Sequence, residues 1–291
     1  MRSLLFTPAD SARKIARALC CGADAVILDL EDSVAPDAKD KARRGAREAL
    51  NQSRGNGPKA NNPKLIVRVN GLESGEIETD LDAIVSCAPD AIMLPKARGG
   101  DDMQRLSVKL AVREAQCGLA DGSIGALPIA TESADALFRL SSYRDATARL
   151  TALAWSAEDL TASVGALFNR LPDGGWTPPF ALARNMALFA AASAGVPAID
   201  AAFTNYRDIQ ALRNECADAR RDGFSGKLAI HPDQVAIINE MFAPTAAERS
   251  RAERIVEAFE ASPGAGVLPL DGAMIDAAHL SWAKRVLGRN V

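Results

Sequence analysis

Short apolar runs alternate with longer amphipathic segments along almost the whole of this 291-residue chain, and that alternation limits its fold more than any other feature. The runs lie at residues 3–8, 25–31, 64–70, 91–96, 126–133, 150–160, 197–203 and 227–231. Between them the spacing predicts helices at 11–21, 37–51, 81–86, about 101–119, 134–141, 180–195 and 206–222. Residues 53–63 carry Gly, Asn and Pro without periodicity and read as a surface loop, and 171–179 form a second Gly/Pro-rich loop. Continuous apolar runs suit parallel strands covered on both faces. Strand–helix–strand crossovers favour parallel pairing, so eight of them predict a closed (β/α)8 barrel, a TIM barrel, over residues 1–243. An open doubly wound sheet is the competitor. The first strand–helix turn, Thr7-Pro8-Ala9-Asp10, lacks the Gly-rich phosphate fingerprint expected of it.

A C-terminal extension, 244–291, follows the barrel. It reads as a charged amphipathic helix at 246–261, a Pro/Gly-rich link at 262–270 and a last helical segment at 271–287. Such an extension could pack on the barrel, close over its mouth as a lid, or reach a neighbouring subunit.

Composition removes several classes. With 48% hydrophobic and 24% charged residues the chain has the profile of a globular protein with a sizeable core. A net charge of −3 gives no electrostatic footprint for nucleic acid. No apolar run reaches the roughly 18 residues of a membrane span, and the start of the chain is too short in apolar residues for a signal peptide. A cytoplasmic protein with no membrane partner is expected. The five cysteines are odd in number and show no CxxC spacing, which implies neither a disulfide framework nor a zinc site. Cys20 and Cys21 read as small packing residues within the first helix.

Barrel enzymes carry their chemistry at the C-terminal ends of the strands. Those ends hold Asp29, Glu31 and Asp32, then Arg68 and Asn70, Lys96, Glu132, Glu158 with Asp159, and His231. Glu132 and Asp159 close the fifth and sixth apolar runs. If neighbouring strands deliver them together, two convergent carboxylates suit a hard divalent ion such as Mg²⁺. The plainer alternative is that each acid caps the helix after it. Arg68 sits in an otherwise apolar strand, and burying a guanidinium is costly unless it is paired. It therefore faces an anionic ligand, or braces a neighbouring strand through Glu31. Lys96, if desolvated, would suit Schiff-base chemistry, although nothing else in the chain supports that. His231, before Pro232 and Asp233, reads as a structural residue or a backbone contact to a ligand.

The motifs Leu28-Asp29-Leu30-Glu31-Asp32, Val67-Arg68-Val69-Asn70-Gly71, Leu94-Pro95-Lys96, Glu132-Ser133-Ala134 and Ala157-Glu158-Asp159-Leu160 occur in this order. Later come Gly226-Lys227-Leu228-Ala229-Ile230-His231-Pro232 and Asp271-Gly272-Ala273-Met274-Ile275-Asp276. Together they make the chain resemble the citrate lyase β-subunit-like and malyl-CoA lyase-like proteins, within the aldolase superfamily that includes 4-hydroxy-2-oxo acid aldolases. The resemblance implies a (β/α)8 barrel assembled as a homotrimer or homohexamer, with Mg²⁺ on Glu132 and Asp159 and catalytic roles for Arg68, Glu31 and Asp276. It implies substrate contacts at Arg68, Ser156, Ala157 and Glu158, and coenzyme A contacts at Phe6, Arg13, Arg17, Ile230 and His231. Asp276 would lie on a lid that closes a neighbouring subunit's site.

Two departures from the family pattern stand out. The turn Pro8-Ala9-Asp10-Ser11-Ala12 lacks the glycine, the basic residue and the second proline of coenzyme A-binding relatives. Ser156 stands where glycine is common. The implied activity is Mg²⁺-dependent cleavage of a 3-hydroxy-acyl-CoA thioester, such as malyl-CoA or citramalyl-CoA, into an oxo acid and an acyl thioester, or the reverse condensation. The alternatives are an aldolase on free hydroxy-oxo acids, a thioester hydrolase, and a carrier-protein-dependent citrate lyase β subunit.

Overall fold

The computed structural model describes residues 1–55 and 62–288, so residues 56–61 of the expected 53–63 loop lie outside the described residues. The chain divides into two compact units, Met1–Phe242 and Ala243–Val291. The first unit opens with β1 (Ser3–Pro8), α1 (Ala12–Leu19), β2 (Ala25–Asp29) and α2 (Lys39–Gly55). Next come β3 (Lys64–Arg68), α3 (Ile77–Ile84), β4 (Ala91–Leu94), α4 (Gly100–Gln116), β5 (Gly125–Pro128) and the single turn α5 (Ala134–Leu137). It is completed by β6 (Leu153–Ala154), α6 (Glu158–Val164), α7 (Pro178–Ser193), β7 (Ala198–Asp200), α8 (Ile209–Asp222), β8 (Gly226–Ala229) and α9 (Pro232–Met241).

All strand pairs in this unit are parallel, in the order β5-β4-β3-β2-β1-β8-β7-β6. Bridges Ala126↔Leu150 and Ile129↔Ala154 join the two ends of that order, and the sheet closes as a barrel. Strand alternation sorts the side chains. Leu4, Ala25, Ile27, Ile66, Met93, Leu127, Ile199 and Leu228 belong to one buried cluster that fills the barrel. The larger cluster, with Leu5, Val26, Leu28, Val67 and Trp155, packs between the barrel wall and the helices. Two steps beyond Ile27 and Ile66 on the same inner faces stand Asp29 and Arg68, which are register partners. At that level the apolar interior becomes a polar mouth.

Several expectations need correction. The sixth apolar run, 150–160, supplies only a two-residue strand, because α6 begins at Glu158. Helix α6 follows its strand almost without a loop, and continuous apolar sequence hides such a boundary. Helix α9, not among the expected helices, begins with Pro232 directly after the His231 cap. Helix α2 continues to Gly55, inside the expected loop. Helix α1 ends at Leu19, and Cys20 is exposed beyond it, so Cys20 is no packing residue.

The second unit holds α10 (Ala246–Ala261), β9 (Val267–Leu270), β10 (Ala273–Asp276) and α11 (Ala277–Val286). Its antiparallel hairpin replaces the expected link and the start of the expected last helix. The turn Asp271-Gly272 explains it: both residues have positive φ (52° and 76°), the signature of a tight two-residue hairpin. Helix α10 starts at a capping box in which Thr245 Oγ1 accepts from Glu248 N and Glu248 Oε2 accepts from Thr245 N. Among the described residues no helix is long and apolar enough to cross a membrane.

Candidate active site

Arg68 emerges from β3 and lies buried against three groups. Its Nε and Nη2 donate to Asp29 Oδ1 and Oδ2 at 2.6 Å each. Its Nη1 lies 3.1 Å from Glu31 Oε2, and the guanidinium carbon sits 4.7 Å from the centre of the Phe6 ring. Asp29 is fully buried and also accepts from the N–H groups of Glu31 (3.0 Å) and Ser33 (3.1 Å). Burial pushes the Asp29 carboxyl up, but the Arg68 guanidinium outweighs it and holds the group below the usual carboxylate range. A brace between β2 and β3 is therefore present, and Asp29 is its main partner. A guanidinium has five N–H donors in a planar fork. Nε and Nη2 each spend one on Asp29, which leaves the second hydrogen of Nη2, and Nη1 in ion-pair contact with Glu31 Oε2, for a ligand.

Beyond β4, Lys96 adopts a positive φ of 55°. Its N–H donates to Glu132 Oε2, and its Nζ donates to Glu31 Oε1 and, at 3.3 Å, to Asp32 Oδ1. Burial acts against the ammonium, but Glu31 and Asp32 hold its pKa above the ordinary lysine value. A Schiff-base lysine needs the opposite shift and a desolvated amine. Lys96 has neither, and that possibility is withdrawn.

Glu132 is buried just beyond β5, and its Oε1 has no hydrogen-bond partner. Burial pushes its pKa well above the ordinary glutamate value; the negative charges of Asp159 and Glu31 add to this, against the N–H of Lys96. Asp159 lies in the first turn of α6 and lines the same cavity of about 80 Å³ with Glu132, Arg68, Phe6, Ser156 and Leu228. Among the described residues no three His, Cys, Asp or Glu side chains cluster as a ready-made metal site. Two carboxylates on one cavity, one with a bare buried oxygen and a pKa raised by burial and, further, by the other, fit Mg²⁺. That ion takes one or two protein carboxylates and leaves its remaining positions to water and substrate oxygens.

One residue that sequence reasoning missed ties the two acid-bearing loops together. Thr131 Oγ1 accepts from Ser156 N and donates to Ser156 O, both at 3.0 Å. It immediately precedes Glu132, and only that adjacency could have flagged it. Lys39, at the start of α2, was also missed. Its Nζ donates to the carbonyls of Leu30 (2.6 Å) and Glu31 (2.8 Å) and to Asn70 Oδ1 (2.9 Å), pinning the ends of β2 and β3.

A second, larger cavity of about 640 Å³ shares Phe6, Arg68, Ser156, Glu158 and Asp159 with the mouth. It runs past Arg13, Lys14 and Arg17 of α1 on one side and Ile230 and His231 on the other. The structure thus gathers Phe6, Arg13, Arg17, Ile230 and His231 around one groove. His231 caps α9, with Nδ1 accepting from Asp233 N at 3.3 Å, and its ring stacks on Tyr206 at 4.7 Å. Glu158 is exposed and accepts from Asn169 Nδ2 at 3.1 Å. Ala157 is buried at the start of α6.

Asp276 belongs to the second unit. It caps α11, accepting from Ala278 N (3.0 Å) and His279 N (3.3 Å), and its Oδ1 lies 2.7 Å from His279 Nδ1. The side-chain contact with His279, followed by the cap N–H groups, holds its pKa below the ordinary aspartate value.

Known proteins match this chain over nearly its whole length. The family model of HpcH/HpaI aldolase/citrate lyase matches residues 2–232, and that of C–C bond lyases of the TIM-barrel fold matches residues 180–291. The chain is 35% identical to the citrate lyase subunit beta of Escherichia coli over 290 residues, 99% of this chain and 92% of that protein. It is 32% identical to a (3S)-malyl-CoA thioesterase of Cereibacter sphaeroides over 292 residues, 99% of this chain and 94% of that protein. The crystal structure of CitE from Mycobacterium tuberculosis in complex with magnesium, acetoacetate and coenzyme A superposes with a TM-score of 0.76 at 29% identity, covering 99% of this chain and 97% of that one.

Proposed function

We propose, from the premise that the chain belongs to the HpcH/HpaI aldolase/citrate lyase family, that it is a cytoplasmic Mg²⁺-dependent carbon–carbon lyase. Its substrate would be a 3-hydroxy-acyl-CoA thioester of the malyl-CoA or citramalyl-CoA type, cleaved to an oxo acid and an acyl-CoA or made by the reverse Claisen-type condensation. The observation that carries this reading is the bare, buried Oε1 of Glu132 on the cavity it shares with Asp159 and Arg68.

Mg²⁺, held by Glu132 and Asp159, would supply Lewis-acid polarisation and a template for the oxo-acid oxygens. Arg68 directs its remaining N–H donors at oxygen charge that grows as the carbon–carbon bond breaks. Glu31 acts through Arg68, holding Nη1 in place. Ser156, Ala157 and Glu158 border the oxo acid. The latter two open the first turn of α6, where helix N–H groups have no intrahelical acceptor and can receive a carboxylate. In condensation Asp276 takes a proton from the carbon next to the thioester carbonyl as that carbon bonds to the oxo carbon, and solvent protonates the new alkoxide; in cleavage the hydroxyl proton leaves to solvent and Asp276 returns one to the enolate carbon. Its lowered pKa favours the carboxylate form that the first of these needs. The groove past Arg13, Arg17, Ile230 and His231 supports a thioester carrier with anionic phosphates, and its basic side chains stand in for the altered first turn.

The test is a screen of acetyl-CoA and propionyl-CoA against several oxo acids, with and without Mg²⁺, read by mass spectrometry for condensation products. A Mg²⁺-dependent hydroxy-acyl-CoA is the expected result, and no product with any pair would sink the reading. The thioesterase relative favours a second reading, hydrolysis of the hydroxy-acyl thioester. Release of free coenzyme A together with the intact hydroxy acid, and no oxo acid, would identify it.

A further inference from the structure

Lys96 touches the mouth through two different parts of itself. Its left-handed backbone, at φ 55°, is rare for a side chain of this kind, and it aims the N–H at Glu132 Oε2. Its ammonium meets Glu31 Oε1 and Asp32 Oδ1. Glu31 Oε2 faces Arg68, which also carries the fully buried Asp29. Without Lys96, one guanidinium would answer two buried carboxylates. An incoming carboxylate would then reach the free N–H groups of Arg68 against a net negative field. The ammonium restores the balance between two cations and two buried anions.

We propose that Lys96 is a positioning residue whose ammonium neutralises Glu31, so that Arg68 keeps a net attraction for the carboxylate of an oxo acid. This rests on the oxo-acid reading of the mouth. The plain alternative is a half-exposed ion pair that only braces two loops, of a kind worth little to stability. The two differ in what they do to ligand affinity.

Calorimetry on the full chain with saturating Mg²⁺ reads the binding of glyoxylate and pyruvate without turnover. Lys96→Met keeps the backbone N–H and the aliphatic stem but removes the charge. Oxo-acid affinity should fall by at least about tenfold, as expected when the partner of a buried carboxylate is truncated and leaves that charge unpaired. Mg²⁺ affinity, measured separately, should stay within about threefold, because the N–H still holds Glu132. Lys96→Arg should recover most of the loss. Lys96→Asn, whose side chain tolerates left-handed backbone, should repeat it and serves if the Met variant folds poorly. Unchanged oxo-acid affinity in the neutral variants, with or without a lower melting temperature, overturns the proposal while the lyase reading stands. Lys96→Arg performing no better than Lys96→Met overturns it too. A wild-type chain that binds no oxo acid overturns the proposal and the lyase reading together.

Discussion

At Glu132 the protein places a charge where burial and two neighbouring acids oppose it. Such a carboxylate is a liability to the metal-free fold and becomes an asset only when a cation shares the cavity. Glu132→Gln should therefore leave the metal-free melting temperature unchanged or raised. Asp159→Asn removes the repelling partner and should behave alike. Both variants should lose the thermal shift that Mg²⁺ gives the wild type, together with Mg²⁺-dependent turnover. Thermal melts with and without Mg²⁺ check this, and near-normal activity of either variant at trace Mg²⁺ would remove these residues from the metal site. Arg68 poses a geometric question rather than one of charge. Asp29 takes a bidentate fork from it while Nη1 serves Glu31, and lysine cannot present that arrangement. Arg68→Lys should lower kcat/KM by well over tenfold, more than ~1.4 kcal/mol of transition-state stabilisation. A smaller loss would leave Arg68 as a brace alone.

The elements that hold this site depend on a second cluster outside the barrel. Asp200 on β7 is fully buried and accepts from Lys227 Nζ of β8 (2.8 Å), Arg184 Nε of α7 (3.1 Å) and Trp155 Nε1 (2.7 Å). Trp155 directly precedes Ser156, so the cluster anchors the segment that carries Asp159. Burial raises the Asp200 pKa, but Lys227 and Arg184 outweigh it and bring it below the ordinary value of 3.8. A depressed carboxylate stabilises the fold fully above its unfolded pKa and loses that contribution as pH falls through the folded one. Asp200→Asn should cost about 3–5 kcal/mol at pH 7, the penalty for orphaning a buried partner. The gap to wild type should narrow below about pH 4. Denaturant unfolding at pH 7 and pH 3 measures it, and a gap independent of pH would contradict the assignment. None of this cluster was legible in the sequence, because Asp200 and Lys227 each look like an ordinary polar residue at a strand margin until the register pairs them. The barrel itself was legible, since its eight apolar runs sit on the eight strands. So was the company of Glu132, Asp159 and Arg68, because strand ends on one barrel face must converge. What the sequence hid were junctions without punctuation, such as Trp155 to Glu158, where strand passes into helix with no Gly or Pro between. It also hid the β9–β10 hairpin, whose Asp271-Gly272 turn is a hairpin signal that the Pro/Gly-rich stretch before it obscured.

For the whole molecule, the reading calls for more than one chain. Leu167 and Phe168 are 89% and 77% exposed beside α6, and Phe138 is 86% exposed beyond α5. Large apolar side chains left in water on neighbouring elements suit an interface between copies. Light scattering should find a trimer or hexamer, and Leu167→Asp with Phe168→Asp should shift it towards monomer. A wild-type chain that runs as a monomer would withdraw the oligomer. Such an assembly also gives the Asp276 assignment a decisive test. Within its own unit Asp276 does what a helix cap does, which alone accounts for its hydrogen bonds. A cap needs no partner chain, whereas a proton carrier on a lid does if it serves a neighbouring site. An Arg68→Ala chain and an Asp276→Ala chain should each be inactive alone. Co-assembled, some sites pair an intact Arg68 with an intact Asp276 from another chain, and part of the activity should return. Mixed oligomers that exchange subunits yet stay inactive would confine Asp276 to its own chain or to its cap. Asp276→Asn would then separate those two outcomes, since asparagine still caps a helix but cannot carry the proton.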